Sequence, residues 1–279
     1  MTSLRPARRF DWSNFRLRAV SAAVLAPLAL AAVWFGGAVF LVAVWIAMAL
    51  LALEWGTMSA PQHPIQAAVT MALIMLVAAI AVDLSYFKSA WLLICVGAWI
   101  AVGMAALRKL GDRAADEGFG VLYLGAPMLA LLWLRSGVFG LGWVLSLLAT
   151  TWSADIGAFL GGSFIGGPKL WPRISPNKTW SGFVTGLACA MIAAEAVSLC
   201  LGRLGGPVVS WAWLAGLIVG LATMAGDLCE SMIKRRFGVK DSGSIIPGHG
   251  GLLDRVDGLM FATVAMAAVR LAGRYGAFL

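Results

Sequence analysis

Residues 226–257 read GDLCESMIKRRFGVKDSGSIIPGHGGLLDRVD, and they concentrate groups that handle phosphates and metal ions. Asp227, Glu230, Ser231 and Lys234 stand at i, i+3, i+4 and i+7, so a helix presents them on one face. Asp254 and Asp257 are again three apart and open the next apolar run. Acids in a first helical turn are favoured by the helix dipole, which is the plain structural account of that pair. Carboxylates converging from both segments repel one another, and a hard divalent cation with oxygen ligands relieves the repulsion, Mg²⁺ above all. Asp227, Glu230, Asp254 and Asp257 are therefore the metal-ligand candidates. Between them Gly238, Gly243, Gly248, Gly250 and Gly251 permit close backbone approach to anionic oxygens. Lys234, Arg235, Arg236, Lys240 and Arg255 supply positive charge. Membrane topology and lipid headgroups explain a basic run on its own. With acids, glycines and His249 interleaved, a phosphate–metal site explains more. His249 either binds phosphate or passes a proton, and its spacing does not choose.

A second polar segment, 168–182, reads PKLWPRISPNKTWSG. Two roles are open to it. Ser175–Thr179 caps the helix that follows, or Lys178 meets an anion at that helix N-terminus. Asp155 and Glu195 are single acids inside apolar runs, where an ionised group costs about 2.5–3.5 kcal/mol at mid-bilayer. Pairing with a neighbour is the simplest account of Glu195.

The elements that must position these groups follow from composition. The chain has 279 residues, is 61% hydrophobic and 12% charged, and has a mean hydropathy of +0.89. Soluble domains carry about 25% charged residues, and the apolar runs lack the alternation of a spanning β-strand. An all-α integral membrane protein follows. We read nine spans, near 19–36, 37–54, 65–83, 89–107, 119–134, 138–160, 180–201, 208–230 and 253–273. The fifth is short, which suits a tilted helix or one partly buried in protein. Residues 1–18 form a basic, aromatic segment suited to an anionic membrane surface or to a topology signal. Residues 19–279 form one polytopic domain with its polar site in the C-terminal half. With the N-terminus inside, the inner segments hold sixteen Lys and Arg and the outer ones five. That asymmetry directs the polar segments to the cytoplasm. It also explains the net charge of +8 without nucleic acid as a partner. The four cysteines form no C-x-x-C pair and read as small buried apolar side chains.

The run SMIKRRFGVKDSGSIIPGHGGLLDRVD resembles the signature of phosphatidate cytidylyltransferases, also called CDP-diacylglycerol synthases. The matching elements are Ser231, Lys234-Arg235, Lys240-Asp241, Pro247, His249-Gly250-Gly251, Asp254-Arg255 and Asp257. ISPNKTW and SADIGAFLGG, around Lys178 and Asp155, resemble two further motifs, and Leu53-Glu54-Trp55 a fourth. The chain departs from the family pattern at Ser181, Ile156 and Phe159. The resemblance implies a multi-pass enzyme of the cell (inner) membrane with its site facing the cytoplasm. It implies CTP and phosphatidate as substrates among membrane lipids, and CDP-diacylglycerol and pyrophosphate as products. Asp227, Asp254, Lys234 and His249 are then the expected catalytic residues. Lys178, Ser231, Arg235, Lys240, Asp241, Arg255 and Asp155 are the expected substrate contacts. Mg²⁺, with room for a second cation, is the expected cofactor, and a homodimer is one candidate assembly. Two alternatives remain open: a CTP-dependent kinase of a lipid alcohol, and an ion-coupled transporter using the intramembrane acids.

Overall fold

The structure is a computed structural model and describes residues 12–109, 111–137, 139–172, 174–203, 209–246 and 250–274. The described chain forms nine α-helices: α1 (Trp12–Phe35), α2 (Gly37–Ser59), α3 (Pro64–Asp83), α4 (Phe87–Leu107), α5 (Ala114–Arg135), α6 (Gly140–Phe164), α7 (Trp180–Arg203), α8 (Ala212–Arg236) and α9 (Leu253–Arg274). Eight of them are long and apolar enough to cross a bilayer, and α1 contributes the shorter apolar stretch Ala23–Phe35. The all-α expectation holds, with one addition. The segment after α6 forms a small antiparallel hairpin, β1 (Lys169–Trp171) and β2 (Ser175–Thr179).

Each apolar run found in the sequence is a helix, but the helices overrun the runs. The second run was expected to stop at 54 and α2 continues to Ser59; the eighth was expected to stop at 230 and α8 continues to Arg236. A helix satisfies its own backbone as well in the interface as in hydrocarbon, so polarity alone does not end it. Nothing between Trp12 and Arg18 breaks the helix either, so α1 already includes the end of the basic segment, whose residues 1–11 lie outside the described chain.

Short links make successive helices reverse direction. The ends of α2, α4, α6 and α8 and the starts of α3, α5, α7 and α9 therefore share one end of the bundle. At the centre stands α5, packed on α2, α3, α4, α6 and α9. Its apolar window is 72% buried, the highest share of any span, as the short fifth run anticipated. Around it α2 pairs with α3, α4 with α5, α6 with α7 and α8 with α9.

Cations and acids stitch these pairs at helix ends. Arg135 Nε donates to the Val33 carbonyl at 2.8 Å, at the end of α1. Buried Arg270 donates to the Trp133, Leu134 and Ser136 carbonyls at 2.7–2.9 Å, closing the end of α5. Arg135 and Arg270 are thus engaged by helix C-termini, where positive charge is favoured. Glu195 accepts from the Trp213 N–H at 3.2 Å, in the first turn of α8, which is the neighbour its position called for. The cysteines are unpaired; Cys95 and Cys200 lie on the outer surface rather than buried, where lipid accepts a thiol as readily as a core does.

Candidate active site

The C-terminal half of α8 and the N-terminal half of α9 pack closely because two glycines face each other. A Cβ on Gly226 would stand 2.5 Å from the Asp257 carbonyl, and one on Gly258 would stand 2.7 Å from Asp227 Oδ1. That proximity places the second turn of α9 beside Asp227, nine residues before α8 ends at Arg236. Running antiparallel, α9 therefore begins about 6–9 Å short of the end of α8.

The acids do not collapse into one nest. They divide into two clusters, each organised by an ammonium. In the first, Lys178 Nζ from β2 bonds Asp227 Oδ2 at 2.5 Å. Asp155 of α6 and Asp257 of α9 lie within electrostatic reach of the same pair. In the second, Lys234 Nζ bonds Glu230 Oε2 and Asp254 Oδ1, both at 2.7 Å. Asp254 Oδ2 also accepts the Ser242 and Gly251 N–H groups at 3.1 and 3.0 Å. Repulsion between carboxylates is relieved first by these lysines.

A cation still fits the donors. Acids outnumber the ammonium groups in both clusters. Glu230 Oε1 is buried without a hydrogen-bond partner, and so is the hydroxyl of Tyr123 in α5, which lies within electrostatic reach of Asp227, Glu230 and Asp257. Among the described residues no three His, Cys, Asp or Glu side chains gather around one point as metal ligands. Mg²⁺ commonly takes one or two carboxylates and completes its shell with water and substrate phosphates, and of the four candidate ligands Asp227 and Asp257 are the ones without a bond to Lys234.

The remaining expected contacts are spread along the rim. Ser231 is half-buried on α8; Arg235, Lys240, Asp241 and Arg255 are exposed. Arg235 also bonds the Val239 carbonyl at 3.4 Å. Arg236, read as part of the phosphate-binding charge, is committed elsewhere: its Nη2 bonds Asp116 Oδ1 in the first turn of α5. His249 lies outside the described residues, as do Pro247 and Gly248. The expected glycine cradle is also partly occupied. Gly251 donates its N–H to Asp254, while Gly243 and Gly251 pack against Glu54.

Glu54 is a buried acid at this end of the bundle that side-chain patterning did not single out. It is 2% exposed near the end of α2, and it binds the start of α9. Its only sequence signal was the similarity of Leu53-Glu54-Trp55 to a family motif. Next to it, buried Trp55 donates to the Asp116 carbonyl at 2.9 Å and stacks with Phe119, Tyr123 and Phe237.

A family model described as "Cytidylyltransferase family" matches residues 16–272. The chain belongs to the cytidylyltransferase family. Among curated relatives, a phosphatidate cytidylyltransferase of Brucella suis is 35% identical over 276 residues, covering 91% of this chain and 92% of the relative. One of Pseudomonas aeruginosa is 32% identical over 267 residues, covering 93% and 98%. One of Staphylococcus aureus is 41% identical over 167 residues, covering 58% and 62%. The cytidylyltransferase signature therefore sits where the structure brings acids and lysines together, at the α8–α9 end and on the hairpin.

In the hairpin the capping role falls to Thr179, and Lys178 forms an ion pair with Asp227. Thr179 Oγ1 accepts the Gly182 N–H at 3.1 Å and caps α7, while Lys178 turns into the site. Ser181 also bonds the Gly166 carbonyl and ties the hairpin to the end of α6. We expect Thr179→Ala to lower Tm, a lost cap being worth about 1 kcal/mol, with turnover per folded molecule unchanged. Lys178→Ala should lower kcat/KM about ten- to a hundredfold, the value of one charge-assisted contact. Lys178→Arg should keep part of it. Steady-state kinetics on both variants check this; wild-type kinetics for Lys178→Ala would make the hairpin purely structural.

Proposed function

We propose that this chain transfers the cytidylyl group of CTP to phosphatidate, giving CDP-diacylglycerol and pyrophosphate, at the cytoplasmic face of the cell (inner) membrane. One observation carries the reading. Groups far apart in a chain that aligns end to end with phosphatidate cytidylyltransferases meet at one end of the bundle, Lys178 on Asp227 and Lys234 on Asp254. The phosphate of phosphatidate is anionic near neutral pH, so its attack on the α-phosphorus needs no strong base. In-line transfer of this kind depends on positioning and charge neutralisation. Lys178 and Lys234 neutralise phosphate oxygens from opposite sides of the α8–α9 junction. Arg235, Lys240 and Arg255 draw the nucleotide in at the rim. Asp227 and Asp257 would hold Mg²⁺, with Glu230 and Asp254 behind them, and the ion would supply charge for the departing pyrophosphate.

The decisive assay uses purified protein, phosphatidate and CTP labelled at the α- or the γ-phosphorus. Label entering lipid from the α position alone supports the reading; label from the γ position means a lipid kinase. Solute flux in proteoliposomes without CTP would restore the transporter. Against a transporter, the polar groups crowd one end of the bundle rather than two pseudo-symmetric halves at the midplane.

The orientation has its own test. Ser242 is buried and Ser244 is exposed, so Ser244→Cys in a cysteine-free background is the appropriate probe. We expect an impermeant thiol reagent to label it in inverted vesicles and not in intact cells. Labelling in intact cells overturns the cytoplasmic placement.

A further inference from the structure

We propose that Glu54 is a positioning residue of the active site, a buried carboxylate on α2 that caps α9 in place of a residue of its own chain segment and so aims Asp254 at Lys234. Glu54 Oε1 accepts the Leu252 N–H and Oε2 the Leu253 N–H, both at 2.7 Å. These donors belong to the start of α9, where a helix leaves its N–H groups without internal partners. Glu54 Oε2 also accepts the Ser242 hydroxyl at 3.2 Å.

The next residue, Asp254, grips the same two stretches from the other side, through the Ser242 and Gly251 N–H groups. The two carboxylates thus clamp 242 against 251–253, and Asp254 Oδ1 also accepts Lys234 Nζ at 2.7 Å. The packing around Glu54 leaves no slack. A Cβ on Gly243 would stand 2.9 Å from Glu54 Oε1, and one on Gly251 would stand 3.0 Å from it and 1.9 Å from Ser242 Oγ. The two glycines therefore serve the clamp. All three of its partners donate, and a carboxylate is acceptor-only on both oxygens, so the match is chemical as well as steric. Glutamine keeps the size and turns an NH₂ donor toward a backbone N–H or hydroxyl donor. Among the described residues the hydrogen bonds of Glu54 go to Ser242, Leu252 and Leu253 rather than to an expected catalytic side chain, so it acts through Asp254 and the loop.

The kinetic part of the test rests on the proposed transfer reaction, and the labelling part does not. The full chain carries Ile246→Cys, a buried position of the same loop, as a reporter in a background without native cysteines. Adding Glu54→Gln should raise the thiol-labelling rate and lower kcat, each about ten- to a hundredfold, as expected for losing a contact to a charged group. KM for CTP should move less than kcat. Glu54→Asp, one methylene short, should fall between. Ser242→Ala removes one donor and stays milder, and combining it with Glu54→Gln should cost less than the product of the two single effects. If Glu54→Gln does not fold, Ser242→Ala must show the same two changes at smaller size. An unchanged labelling rate and kcat in the folded variants overturns the assignment. So does a loss of activity that follows only the folded fraction, with normal labelling of the folded molecules. A wild-type chain that does not turn over CTP refutes the function while labelling still decides the clamp.

Discussion

Asp227→Asn should leave a folded, inserted protein with turnover below about a thousandth of wild type, the loss typical of a removed charge-stabilising group. Asp227 stands where α8, α9 and the hairpin meet, with Lys178 on one oxygen and Gly258 against the other. The amide keeps the volume in a space too tight for a larger group, removes the charge that orients Lys178, and removes one of the proposed cation ligands. Asp254→Asn should be as severe for a different reason. Its two oxygens serve Lys234 on one side and two backbone N–H groups on the other, so an NH₂ group faces a donor in either orientation. The measurements are CDP-diacylglycerol formation at saturating Mg²⁺ and membrane insertion of each variant. Near-normal turnover in either sinks the site assignment.

Lys234→Met should be the most destabilising single change in the site. The ammonium is 14% exposed between Glu230, 1% exposed, and Asp254, 10% exposed. Methionine keeps the stem and leaves two buried acids facing each other. Breaking a buried ion pair by removing one partner costs about 3–5 kcal/mol, and a shift of that size lowers Tm by about 10 °C in a chain of this length. Adding Glu230→Gln to Lys234→Met should recover part of the Tm and none of the turnover, because it removes the repulsion without restoring a cation for phosphate. Thermal unfolding in detergent and the CTP assay separate the two effects. A Lys234→Met protein with wild-type Tm and turnover contradicts both roles of the lysine.

The spans were legible because hydropathy is additive along a run; their inner ends were not, because polar residues continue a helix once it leaves hydrocarbon. Contacts within one helix were legible too, and the Glu230–Lys234 pair follows from a spacing of four. The contacts that make the site cross elements: Lys178 to Asp227 over 49 positions and Lys234 to Asp254 over 20. Helical periodicity says nothing about those. It placed the acids on the right faces and could not say that lysines would partition them into two clusters. The hairpin escaped because strands this short, flanked by Pro172 and interrupted by Pro176, carry little propensity and exist through each other's pairing. Glu54 escaped for the plainest reason. Two of its partners are backbone N–H groups, which leave no trace in residue types, so a lone acid after an apolar run reads as the edge of a span.

The clamp between α2 and α9 also sets a clock on biogenesis. Glu54 is made early, and its partners Leu252 and Leu253 come 198 and 199 positions later. At about 5–20 residues per second, translation separates them by about 10–40 seconds. Throughout that interval the carboxylate has no α9 start to cap. A helix made long after α2 therefore completes it, and a chain stalled or truncated before α9 lacks both of these backbone donors.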